Sequence, residues 1–103
     1  DKSIIEYVDS IINKYYTYTH KTVFTNNKIF NAVINTRLEI CQHKKIKTTI
    51  KVENDILNNI NDEDIAVLFG NIFDNAIEAA EKVEDKFISL EIQKQGAYIS
   101  IYM

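Results

Sequence analysis

Asn71 and Asn75 are four residues apart within a stretch, 62–83, whose apolar residues recur at helical spacing, so their carboxamides stack one turn apart on one face. A side-chain amide offers a neutral oxygen that can ligate a hard cation without adding charge. Magnesium on a polyphosphate needs only one or two such protein oxygens, because phosphate and water supply the rest. Asp64, Glu78 and Lys82 fall within roughly 40° of Asn71 on a wheel of about 100° per residue. Ile65, Leu68, Phe69, Ile72, Phe73, Ala76, Ala79, Ala80 and Val83 fill the apolar arc. An ordinary solvated face is the bland alternative. Against it stands propensity: two asparagines and Gly70 are poor helix formers, and a face that only meets water would use Glu, Lys or Gln. Gly70 is expected to let another backbone or a ligand come close.

Other chemistry is sparse. His20 in Thr19-His20-Lys21 and His43 in Gln42-His43-Lys44 lack an acidic neighbour to prepare an imidazole for phosphoryl attack, so both read as ordinary polar histidines. Cys41 reads as a small core residue and cannot form an internal disulfide, because it is the single cysteine. With Gly 2 and Pro 0, no glycine-rich loop of the Walker or dinucleotide type can form. A net charge of -3 and a pI near 5.3 exclude the basic excess of a nucleic-acid surface. No apolar run approaches the roughly 20 residues needed to cross a bilayer. Hydrophobic content of 46% with 26% charged residues is that of one ordinary globular domain or a piece of one.

The elements that must carry these residues follow from period. Ile4, Val8, Ile11 and Tyr15 predict a helix over 3–18, read either as a dimerising seam or as a helix packed in its own domain. Residues 17–25 lack periodicity and read as a helix end or loop. A second helix is expected from Asn26 or Asn27 to His43, with Phe30, Val33, Ile34, Leu38 and Cys41 on one side. Ile46, Thr48, Ile50 and Val52 alternate with polar residues, which predicts a half-buried strand. Ile56, Leu57 and Ile60 allow one helical turn. Asn61 or Asp62 should cap a third helix reaching about Val83, with Asp62, Glu63 and Asp64 at its positive end. Phe87 to Gln93 and Ala97 to Met103 alternate around Lys94-Gln95-Gly96, a hairpin.

Leu68-Phe69-Gly70-Asn71-Ile72-Phe73-Asp74-Asn75-Ala76-Ile77-Glu78-Ala79-Ala80 resembles the N-box of the GHKL superfamily of histidine kinases, gyrases and related ATPases. The Asp-Asn-Ala-Ile-Glu-Ala-Ala version is most similar to quorum-sensing receptor kinases of the accessory-gene-regulator class, with citrate-type sensors close behind. The likeness is specific over 61–83 and weaker, but in the right order, over 26–103. It implies an α+β fold: an N-terminal helical hairpin or dimerisation helix, then a partial two-layer α/β sandwich (Bergerat-type) with helices on one face of a mixed sheet. Residues 1–44 would be the distal part of a dimerisation region, and 45–103 the N-terminal half of an ATP-binding domain.

The resemblance also assigns roles. Asn75 matches the asparagine that ligates magnesium on the nucleotide triphosphate, and Asn71 the residue one turn earlier that faces the phosphates. In the ATP-hydrolysing branches that residue is a glutamate base; an amide cannot accept a proton so, which favours phosphoryl transfer to protein over hydrolysis. Glu78 stands where many sensor kinases carry lysine. Neither a His-Asp-Tyr phosphoacceptor box nor Asp-x-Gly-x-Gly is present. No residue here is therefore expected to be catalytic, and the chain reads as an internal fragment, inactive alone, with ATP and Mg2+ bound only by the whole protein. The chain would belong to the cytoplasmic portion of a membrane-anchored receptor kinase and is expected to form a homodimer; the whole protein would pass phosphoryl groups to a response regulator. Its membrane contact would come only through segments preceding this chain. A different reading needs only the periodicity: a non-catalytic α+β interaction module that dimerises through residues 3–16. A kinase-like anti-sigma protein shares the N-box but usually keeps its glycine boxes.

Overall fold

A computed structural model of the chain describes residues 15–53, 55–93 and 96–102. Its order is β1 (Tyr15–Thr19), α1 (Lys28–His43), β2 (Lys47–Glu53), a 3-10 turn (Ile56–Asn59), α2 (Asp62–Ala80), β3 (Phe87–Gln93) and β4 (Gly96–Tyr102). The strands form one four-stranded sheet in the order β1-β2-β3-β4. β1 runs antiparallel to β2, β2 parallel to β3 through the α2 crossover, and β3 antiparallel to β4. The α+β class and the mixed sheet are as the resemblance implies.

Thr48, Ile50 and Val52 on β2, and Ile88, Leu90 and Ile92 on β3, are buried beneath the helices, and the residues between them lie on the other face. Period-2 patterning thus divides the sheet into a covered and an open side. α1 packs on α2 and β2, and α2 on β3 and β4. Between the helices Phe30 and Phe69 meet edge to face, with ring centroids 5.3 Å apart. Phe30, Ile34 and Cys41 lie in the same core cluster as Ile46, Ile50, Phe69, Phe73 and Leu90.

One expectation is corrected. Residues 15–18 are strand, where the spacing of apolar residues placed the end of a helix over 3–18. Tyr15-Tyr16-Thr17-Tyr18-Thr19 is wholly aromatic and β-branched, and the free edge of β2 accepts it in register from Tyr15↔Glu53 to Thr19↔Thr49. α1 is therefore preceded by a strand and packs on α2. The expected seam residues Ile4, Val8 and Ile11 lie outside the described residues, as do Lys94, Gln95 and Met103.

Helix boundaries follow capping chemistry. Asn27 Oδ1 accepts from the Phe30 amide at 2.8 Å and starts α1. Asn61 Oδ1 accepts from the Asp64 amide at 2.8 Å while its Nδ2 donates to Asp64 Oδ2 at 2.9 Å, a reciprocal cap for α2. α2 ends at Ala80, short of Val83, because Lys82 and Val83 bond three residues back and tighten the chain into a turn. There Lys44 pairs with Glu81 at 2.6 Å and holds its carboxyl below the usual range.

Candidate functional site

The buried side of α2 consists of Ile65, Phe69, Gly70, Phe73, Ala76, Ile77 and Ala80. It is rotated from the expected arc: Gly70 and Ile77 are covered, whereas Leu68 is 46% exposed and Ala79 is exposed. The reason is α1, which packs along the Gly70 side and shifts the covered stripe toward itself. Asn71 and Asn75 consequently stand on the face opposite the core, and both are exposed. They do not stand on a plain convex surface. Asn71, Asn75, Asp64, Val67, Leu68 and Ile72, with Ile60 from the preceding segment, line an open depression of about 530 Å³. Val67, 58% exposed, and Leu68 give it an apolar flank that an ordinary solvated face would not carry.

Among the described residues neither the Asn71 nor the Asn75 side chain has a hydrogen-bond partner, in contrast to a second pair of asparagines in the chain. Asn31 and Asn35 lie at the same four-residue spacing on α1, and both are fully engaged. Asn35 Oδ1 accepts from Val23 N–H at 2.7 Å, and its Nδ2 donates to the Val23 carbonyl at 2.9 Å. Asn31 Oδ1 accepts from Thr25 N–H at 2.9 Å and from Thr25 Oγ1 at 2.7 Å, and its Nδ2 donates to the Thr25 carbonyl at 2.9 Å. This clip satisfies backbone groups that would otherwise be left unpaired beside buried Val23. It was missed from sequence, although the repeated Asn-x-x-x-Asn spacing was the available signal.

Gly70 admits neither a ligand nor another backbone; it admits Arg37 of α1. A Cβ on Gly70 would lie 3.2 Å from Arg37 Nη2. The guanidinium crosses there to reach Asp74, with Nε to Oδ1 at 3.1 Å and Nη2 to Oδ2 at 3.2 Å. Within the adjoining pair, then, Asp74 ties α2 to α1 and Asn75 is left free. No sequence signal links residues 37 and 74; only the packing of the helices does.

The remaining residues are structural. His20 has a φ of 53°, its amide donates to the Thr48 carbonyl at 3.0 Å, and its Nδ1 accepts from the Thr48 amide at 3.1 Å. It thereby extends the β1–β2 pairing by one residue. His43 is exposed at the end of α1. Cys41 is fully buried, and burial pushes its thiol up to about 11. Glu78 is exposed and does not line the depression. No cluster of three or more His, Cys, Asp or Glu among the described residues could hold a metal ion by itself. No helix of the described residues is long and apolar enough to cross a membrane.

No curated protein and no solved structure matches the chain. Residues 60–102, which carry α2 with its two free carboxamides and the β3–β4 hairpin, match the family model of the GHKL domain.

Proposed function

We propose that this chain is part of the ATP-binding domain of a sensor histidine kinase, in which Asn75 ligates magnesium on the nucleotide and Asn71 faces the phosphates. GHKL domains bind ATP, generally with Mg2+. The observation that carries the reading is the contrast between the two asparagine pairs: identical spacing, one saturated by the chain's own backbone, the other unpartnered beside an apolar-flanked depression within the GHKL match. When bound, the cation neutralises phosphate charge and fixes the γ-phosphoryl group for transfer. The chain's part is to offer two neutral oxygens one helical turn apart. The Asn61 cap and the Arg37–Asp74 pair hold the helix that carries them. Neither amide can act as a base toward water, which favours transfer to a protein acceptor.

The wider reading places the chain in a homodimeric, membrane-anchored receptor of the accessory-gene-regulator-like quorum-sensing class, which hands phosphoryl groups from histidine to a response regulator. Its support is the Asp74-Asn75-Ala76-Ile77-Glu78-Ala79-Ala80 run. The test is calorimetric titration of the whole gene product with ATP at fixed Mg2+, beside Asn75→Ala. Loss of magnesium-dependent affinity by about tenfold or more, equivalent to about 1.4 kcal/mol, is expected. Labelled γ-phosphate should then appear on histidine in the parent protein and vanish in the variant. Unchanged affinity in Asn75→Ala would refute the site; nucleotide binding without phosphohistidine would refute the kinase while leaving the site standing.

A further inference from the structure

We propose that the cleft between the β1–β2 edge and the 24–26 turn receives an arginine or lysine side chain that a partner protein presents beside an aliphatic residue. The cleft holds about 340 Å³ and lies away from the asparagine depression; the two share no lining residue. Tyr16, Tyr18 and Phe24 supply rings, Val52 an apolar floor, and Glu53 and Asp55 are the acidic residues at its rim. Among the described residues, no lysine or arginine lines it. Aromatic faces and carboxylates attract the same ligand, since a cation is drawn both to a ring quadrupole and to a negative charge. An acidic or neutral segment would meet only repulsion or apolar contact.

Rigidity is the second argument. Phe24 is 84% exposed, an unusual position for a large apolar side chain. Its backbone is nevertheless held on both sides: Val23 by Asn35, Thr25 by Asn31, and the Phe24 carbonyl itself by the Tyr18 hydroxyl at 2.9 Å. An exposed aromatic on a pinned backbone loses little entropy when covered, which is the property of an interface anchor. Tyr16 beside it is 49% exposed and extends the same patch. At the other end of β1 and β2, a second cleft carries Lys21, Lys45 and Lys47, so an acidic partner would be drawn there instead.

The test is an amide-shift titration of the chain with a capped peptide of alternating arginine and leucine, and with its glutamate–leucine twin. Expected is saturable binding of the basic peptide at a Kd of about 1 mM or tighter, with shifts at residues 16–25 and 52–57. Phe24→Ala should weaken it about fivefold or more, and Glu53→Gln with Asp55→Asn should weaken it and flatten its salt dependence. If Phe24→Ala alters the circular dichroism spectrum, the carboxylate double variant carries the test. Absence of saturation, equal binding of the acidic twin, or shifts confined elsewhere would overturn the proposal. So would a concentration-dependent dimer abolished by Phe24→Ala, which would make a second copy the occupant. Nucleotide binding is independent of these variants, so failure here leaves the proposed function intact.

Discussion

Replacing Gly70 with alanine separates the helix's own preference from the passage of Arg37 across it. Alanine in a helix interior is favoured over glycine by about 0.8–1.0 kcal/mol. The new Cβ would lie 3.2 Å from Arg37 Nη2, close enough that the guanidinium must give by a few tenths of an ångström. The Arg37–Asp74 side chains are 26% and 53% exposed, so what that shift puts at risk is an ion pair worth about 0.2–1 kcal/mol. Gly70→Ala should therefore come out between neutral and about 0.8 kcal/mol stabilising in the native background. With Arg37→Ala in place the obstacle is gone, and the gain should reach the full 0.8–1.0 kcal/mol or so. Urea unfolding followed by circular dichroism measures all four corners of the cycle. Should Gly70→Ala destabilise by more than about 1 kcal/mol in both backgrounds, something other than Arg37 needs that space, and the account of the glycine is wrong.

Phe30→Ala should destabilise by about 3–5 kcal/mol in the same assay, since the ring is fully buried and stacks edge-on against Phe69; a loss below about 1.5 kcal/mol would mean the helices do not meet there. Asn35→Ala leaves the Val23 amide and carbonyl unpaired and should cost about 1–3 kcal/mol, with hydrogen exchange at Val23 rising well ahead of exchange at Phe73. Cys41 gives a pH prediction. Its folded thiol titrates at about 11 against an ordinary 9.0, so the folded state holds its proton where the unfolded chain releases it. Stability is therefore full below pH 9 and falls between pH 9 and 11, by at most about 3 kcal/mol, and Cys41→Ser should flatten that slope. At pH 8 iodoacetamide should label Cys41 only as fast as the chain unfolds.

Much of this fold was legible because most elements announce themselves by period. β2 and β3 alternate without interruption, and α2 is bracketed by the Asn61 cap and its acidic first turn. What misled was the N-terminal boundary. Tyr15 continues the spacing of Ile4, Val8 and Ile11, so periodicity ran on into five residues whose composition favours a strand. Composition prevailed because β2 had a free edge to offer, and no local pattern reveals an edge open some thirty residues downstream. The two site asparagines were legible from type and spacing, but not their exact neighbours. Leu68 was assigned to the core because the wheel knows nothing of α1, whose arrival beside Gly70 turns the buried stripe and leaves Leu68 outside. The Asn31–Asn35 clip went unread for the same reason: its partners are backbone atoms brought near by the fold.

The fork of Arg37 on Asp74 has an electrostatic consequence for its neighbour. In the bare sequence Asn75 sits next to an acid that would repel any polyanion at close range. With both carboxylate oxygens engaged by one guanidinium, that acid presents a nearly neutral dipole. A polyanion approaching α2 thus meets fewer opposing charges than the printed letters suggest, and the residue responsible lies on a different helix, 37 positions upstream.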